Sequence, residues 1–208
     1  MDTMIGVETF LFEKAKSGKA KAFEDLILKY EKSIYNTAYR IMGNYEDARD
    51  MSQESLIKAY KNIRNCADVT HFRRLLYVIT TNTCLDELRK RKNRVNVPID
   101  SMIDNTDDSS PKRQFVSEEA TPEERLINKE LSVKIQNAIN QLPDDQKAAI
   151  VLRDIRGLSY EEVAEAMSSS IGTVKSRLSR ARARLRTLLS NNGELNFELN
   201  VKEYNRKG

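Results

Sequence analysis

Residues 159–189 read SYEEVAEAMSSSIGTVKSRLSRARARLRTLL, and the reading of this stretch decides the fold. Ser159 followed three residues on by Glu162 is the capping-box pattern, in which each side chain satisfies the other's free backbone N–H at a helix start. Tyr160, Val163, Ala164 and Met167 then share one face of a short helix. Ser168 to Gly172 makes a turn, and a longer helix starting near Thr173 carries Val174, Leu178, Ala181, Leu185 and Leu188 inward. A short helix, a tight turn and a second helix form the helix-turn-helix arrangement, whose second helix lies in the major groove of DNA. Between Lys175 and Arg186 stand six basic residues (Lys175, Arg177, Arg180, Arg182, Arg184, Arg186) and no acid. Solvated helix faces normally intersperse Glu with Lys and Arg, so this bias favours nucleic acid over a merely solvated face. Arg forks match guanine edges and phosphate oxygens, while Thr173 and Ser176 suit phosphates or base edges near the helix start.

Upstream of this stretch, Pro143 suits the first residue of a helix that carries Asp144 and Asp145 in its first turn and ends at Gly157. That helix buries Ala148, Val151, Leu152 and Ile155, and another amphipathic stretch runs from Glu123 to Leu142. Residues 123–190 therefore read as a four-helix domain. Residues 95–122 hold three of the four prolines (Pro98, Pro111, Pro122) and a polar run from Asp104 to Ser110. Too little apolar surface is available there to offset the ordering entropy, so a flexible linker that lets its neighbours move independently is expected. In residues 1–94, one stripe (Phe23, Leu26, Ile27, Tyr30, Ile34, Ala38, Ile41) predicts a helix ended by Gly43 and Asn44. A second helix is expected from Asp47 to about Ile63, with Ala48, Met51, Ser52, Leu56, Ala59, Tyr60 and Ile63 inside, then a loop to His71. A third (Phe72, Leu75, Leu76, Ile79, Leu85, Leu88) runs into Arg89, Lys90, Arg91, Lys92 and Arg94. The tail, 191–208, has no sustained stripe and is expected to be disordered.

Composition agrees with an all-α class: of 208 residues only 7 are Gly and 4 Pro, and Trp is missing, so glycine-rich turns between strands are poorly supplied. The formal charge of +4 hides a segregation. Residues 19–94 carry 16 basic and 10 acidic side chains, residues 142–190 carry 9 and 6, and residues 95–141 between them carry 5 and 9. Two basic blocks flanking an acidic connector suggest two modules that face nucleic acid. No apolar run has the length of a membrane span, and the first 18 residues lack a signal-peptide pattern, so a cytoplasmic protein without membrane insertion is expected. Cys66, Cys84 and the single histidine, His71, fit neither a disulfide scaffold nor a metal site. No phosphate-cradling glycine motif and no nucleophile with a plausible base is present, so neither enzyme chemistry nor a cofactor is expected.

The outer side of the second helix carries Asp47, Asp50, Gln53, Glu54 and Lys58. An acidic, amide-bearing patch is ill suited to phosphate and better suited to a protein partner, although an ordinary solvated helix face explains it as well. In the third helix, Asn82 and Asp86 share a face, with Arg89 and Lys90 a turn further on. That set fits exposed bases and a phosphate backbone; a satisfied core amide at Asn82 is the equal alternative.

The runs DARDMSQESLIKAYKNI at 47–63, FRRLLYVITTNTCLDELRKRK at 72–92 and LPDDQKAAIVLRDIRGLSYEEVAEAMSSSIGTVKSRLSRARARL at 142–185 together resemble an extracytoplasmic-function (ECF) sigma factor of bacterial RNA polymerase. The resemblance covers both folded blocks in order, and GTVKSRLSRAR is its most specific string. It implies a promoter-recognition subunit whose first domain binds the core polymerase clamp and melts the minus-ten element and whose second reads the minus-thirty-five element, under control of an anti-sigma factor. Carried over by position, it assigns Asp50, Gln53 and Glu54 to the clamp, Asn82 and Asp86 to minus-ten bases, and Thr173, Lys175, Ser176, Arg177 and Arg180 to minus-thirty-five DNA, which Arg184 extends by its position on the basic helix. Three positions depart from the pattern: Leu75 stands where the family usually has Trp, Cys66 where an aromatic often helps capture a flipped base, and Ser168 at the usual glycine of the turn. A helix-turn-helix repressor or activator acting without replacing a sigma subunit is the rival reading, since the second domain alone would fit it.

Overall fold

The computed structural model describes residues 2–95 and 122–190; the expectations for the linker and the tail fall outside these. The described residues form nine α-helices and no strand. The first module comprises α1 (Asp2–Lys16), α2 (Ala20–Leu28), α3 (Glu31–Met42), α4 (Tyr45–Asn62) and α5 (Val69–Val95), with a 3-10 turn, Ile63–Asn65, between the last two. The second comprises α6 (Pro122–Asn140), α7 (Asp144–Ile150), a π turn over Val151–Ile155, α8 (Tyr160–Ala166) and α9 (Ile171–Ser190).

The first module is built around Phe72, whose ring centroid lies 6.0 Å from that of Phe12 and 6.3 Å from those of Phe23 and Tyr30. Phe12, Leu26, Ile34 and Leu76 complete this core, and Leu75 packs at its margin only partly buried. Helix α1, which the sequence reading did not assign, contributes Phe12 and Ala15 to the core. The single helix expected from Phe23 to Ile41 is two helices. Tyr30 ends the first, its N–H donating to the Ile27 carbonyl at 2.8 Å, its ring in the core and its hydroxyl donating to Glu8 of α1. These tertiary contacts break a stripe whose periodicity continues without interruption.

In α4, Asn44 is the N-cap and accepts from the Asp47 N–H at 2.9 Å. The loop expected up to His71 shortens, because Asp68 accepts from the His71 N–H at 2.7 Å and starts α5 there. Pro143 lies one residue outside α7, as its cap. The capping box at Ser159 and Glu162 is present, with N–H to side-chain oxygen distances of 2.7 and 3.1 Å. Helix α9 starts at Ile171, two residues ahead of the expected start.

The two modules are in contact. Tyr77 and Val78 of α5 pack against the second core, and Val151 of the π turn joins a cluster with Ala38, Ile41, Met51 and Cys84. Buried Gln136 of α6 donates its side-chain amide to the carbonyls of Tyr39 (3.3 Å) and Arg40 (3.4 Å). The Arg40 carbonyl is among those that the end of α3 leaves without intrahelical partners, while that of Tyr39 also accepts from the Gly43 N–H at 2.9 Å. The π turn directs Arg156 into the seam, where it donates to the Ser33 hydroxyl at 2.9 Å and the Ser33 carbonyl at 2.6 Å and lies 5.1 Å from the centroid of the Tyr77 ring. Burial pulls the pKa of Arg156 down from its ordinary value.

Candidate nucleic-acid interface

Helix α9 is anchored by Val174, Leu178 and Ala181, all buried, and presents the opposite side to solvent. Ser170 organises its first turn: the Ser170 hydroxyl accepts from the Thr173 N–H at 3.1 Å and lies 2.9 Å from the Thr173 hydroxyl. Lys175, Ser176, Arg180 and Arg184 are exposed. Arg180 folds back onto Ser176, whose hydroxyl it reaches at 3.2 Å, and the Lys175 ammonium lies 5.6 Å from the Tyr160 ring centroid. Such contacts are readily exchanged for a phosphate.

Two cations of the same helix face inward instead. Arg182 donates to both oxygens of Asp154, at 2.6 and 3.0 Å, which raises its pKa further. Arg177 donates to Asp145 of α7 at 2.8 Å, with its side chain only 23% exposed. The sequence reading treats the six cations as one face, because charge counting does not separate those that fasten α9 to α7 and the π turn from those left for a ligand.

On α5, Asn82 is half-buried and its amide has no hydrogen-bond partner among the described residues, so the satisfied core amide is not what the structure holds. Asp86, Arg89 and Lys90 are exposed on the following turns, Arg89 reaching Asp86 at 3.3 Å. Cys66 does not line this surface. It is 1% exposed, its carbonyl accepts from the Lys16 ammonium at 2.7 Å, and burial pushes its thiol pKa up. Cys84 lies deeper still, its thiol pushed up to about 12 by burial.

On α4, Asp50 and Gln53 are exposed, while Glu54 pairs with Lys58 at 2.8 Å and Lys58 also donates to the Thr83 hydroxyl at 3.0 Å. Asp47 departs from the expected outer patch. It accepts from Arg91 of α5 and from Asn44, and these bonds, Arg91 first, hold its carboxyl below the usual carboxylate range. It fastens α4 to α5. Ile57, 58% exposed, and Tyr60, expected inside but 43% exposed with its ring edge on Phe23, continue the line of Asp50 and Gln53 at helical spacing. Sequence periodicity placed Tyr60 in the core and left Ile57 unassigned, since an apolar residue outside the stripe has no signal of its own.

Taken together, this is an all-α protein of two modules whose second carries a helix-turn-helix with a cationic second helix. The family models for Sigma-70 region 2 and Sigma-70 region 4 match residues 26–94 and 132–185. The chain is 36% identical over 177 residues to the ECF RNA polymerase sigma factor SigW of Bacillus subtilis, covering 85% of this chain and 94% of that one. It is 34% identical over 173 residues to the RNA polymerase sigma-H factor of Pseudomonas aeruginosa, covering 83% and 88%. The fold is similar to that of the sigma factor RpoE in complex with the anti-sigma factor NepR from Bartonella quintana, with a TM-score of 0.61, 27% identity, and coverage of 82% of this chain and 98% of that one. CnrH in complex with the cytosolic domain of CnrY has the same fold, with a TM-score of 0.59, 22% identity, and coverage of 89% and 99%. The chain belongs to the ECF RNA polymerase sigma factors, a family of transcription initiation factors, and the reading as a repressor or activator outside RNA polymerase falls. No helix among the described residues is long and apolar enough to cross a membrane.

Proposed function

We propose that the promoter-directing work of this sigma factor is divided among three helices. Asp50, Gln53 and Glu54 of α4, extended by Ile57 and Tyr60, dock on core polymerase. Asn82, Asp86, Arg89 and Lys90 of α5 meet the opened minus-ten strand. Thr173, Lys175, Ser176, Arg180 and Arg184 of α9 meet the minus-thirty-five duplex, joined by Arg177 once it leaves Asp145. The observation that carries the reading is the exposure of Asp50, Gln53, Arg89, Lys90, Lys175, Arg180 and Arg184 on helices whose other faces are core. Polar and cationic side chains on rigid helices are what partner and phosphate recognition require. A mixed patch with exposed Ile57 and Tyr60 supplies an apolar centre with a polar rim, the composition of a protein interface. The chain acts in the cytoplasm without enzymatic chemistry of its own, and an anti-sigma factor holds it inactive, as NepR accompanies RpoE in the similar structure.

Run-off transcription with purified core polymerase is the direct test: the full chain supports promoter-specific product, and Asp50→Arg with Glu54→Arg abolishes both product and co-purification with core while helical content is retained. A double variant that unfolds, or that still co-purifies, removes the docking assignment.

A further inference from the structure

Helix α7 begins with two carboxylates, and both are engaged by cations of the DNA-facing helices. The Asp144 Oδ2 accepts from the Lys92 ammonium of α5 at 2.5 Å. One oxygen of Asp145 accepts from Arg177 of α9 at 2.8 Å, and the other lies 3.9 Å from the Arg89 guanidinium of α5. A single acidic pair therefore bridges the cationic end of the minus-ten helix and the recognition helix. Carboxylates that accept from guanidinium and ammonium groups reproduce the charge and acceptor geometry of phosphate, and the N-terminal turn of α7 is where two negative charges cost least.

We propose that this packed arrangement is a closed state in which Asp144 and Asp145 stand in for DNA phosphates, so that promoter engagement requires the two modules to part. The proposal rests on the assignment of α5 and α9 to DNA. Elements centred ten and thirty-five base pairs upstream are about 25 base pairs apart, or about 85 Å at 3.4 Å per pair. Modules that share the Arg156–Ser33 and Gln136–Tyr39 contacts cannot span that separation. The seam is also suited to opening. Beyond Tyr77, Val78 and Val151 it is held by polar contacts, among them Arg156 on Ser33, Arg40 on Gln136 at 3.0 Å and Arg74 on Glu162. Water can replace such contacts, as at other polar inter-domain interfaces.

The test uses the full chain without polymerase, titrated into a fluorescent 30-base-pair duplex of arbitrary sequence over a range of salt, with small-angle scattering run in parallel. Asp144→Asn with Asp145→Asn is expected to bind about tenfold tighter than the unaltered chain. Its salt dependence should steepen by about 2–3 in log–log slope, near 0.9 for each freed cation. Its radius of gyration should rise. Glu13→Gln with Glu24→Gln makes the same change in net charge at exposed positions of α1 and α2 and is expected to change affinity less than twofold. Equal gains in the two double variants, or an expanded Asp variant with unaltered DNA affinity, overturn the proposal. Should the Asp variant fail to fold, Arg156→Gln opens the seam from the opposite side, and expansion without tighter DNA binding overturns the proposal there too. Failure of the unaltered chain in run-off transcription strikes the underlying assignment instead, because neither binding nor scattering involves polymerase.

Discussion

Ser168 sits where α8 stops, with a φ of +46°, the only non-glycine residue among those described in the left-handed region. Two hydrogen bonds hold it there: its own N–H donates to the Glu165 carbonyl at 3.1 Å, and the Ser169 N–H reaches back to the Ala164 carbonyl at 2.9 Å. That is the Schellman pattern of a helix end, in which glycine is the usual occupant because a Cβ crowds the carbonyl in this conformation. A serine at the usual turn glycine therefore places strain in the backbone here. Ser168→Gly should stabilise the chain by about 0.5–1 kcal/mol, the steric relief being partly offset by the greater freedom of glycine in the unfolded chain. For a chain of this length such a gain raises Tm by roughly 1–4 °C, measurable by circular dichroism. A Tm that stays level or falls would show that Ser168 carries no strain.

At the scale of the element, α9 looks uniform in sequence and is divided in structure. Arg180 is exposed and leans only on Ser176 of its own helix, whereas Arg177 is drawn under Asp145. Arg180→Ala should weaken minus-thirty-five docking of the polymerase holoenzyme by about 1–3 kcal/mol if it contacts a base edge, and leave thermal stability within about 0.5 kcal/mol. Arg177→Ala should also cost about 1 kcal/mol of stability, because it leaves Asp145 with one cation fewer. Gel-shift titration and thermal melts of the same two proteins separate these effects, and identical behaviour would mean that the Asp145 pair contributes nothing in solution. The same division explains what could be read from residues alone. The capping box, the buried row of α9 and the outward Asp50 and Gln53 follow from local spacing, which periodicity reports faithfully. The break at Tyr30 and the inward turn of Asp47 onto Arg91 follow from neighbours distant in sequence, and no local pattern carries them.

At the scale of the whole molecule, the contact between modules was the part least legible in the sequence. Gln136 and Arg156 look like surface residues in sequence, and the hydrogen-bond partners they find across the seam, Arg40 and Ser33, lie 96 and 123 residues away. Gly43 records the contact most sharply. It ends α3 with a φ of +81°, and a Cβ built on it would lie 2.7 Å from the Asn140 side-chain oxygen of α6. That oxygen is itself held by Gln136, which donates to it at 2.8 Å, so the side chain does not swing away freely. Gly43→Ala should therefore carry two separable costs. The left-handed backbone costs an alanine about 1–2 kcal/mol wherever α6 lies, and the collision with Asn140 adds about 0.5–1 kcal/mol only while the modules are packed. Asn140→Ala removes the collision and leaves the backbone cost untouched. A double-mutant cycle in urea, followed through the unfolding of the first module, should give a coupling of about 0.5–1 kcal/mol between the two positions. Purely additive costs would mean that α3 and α6 are not held together in solution, and the closed arrangement would then have to be given up whatever the DNA titrations show.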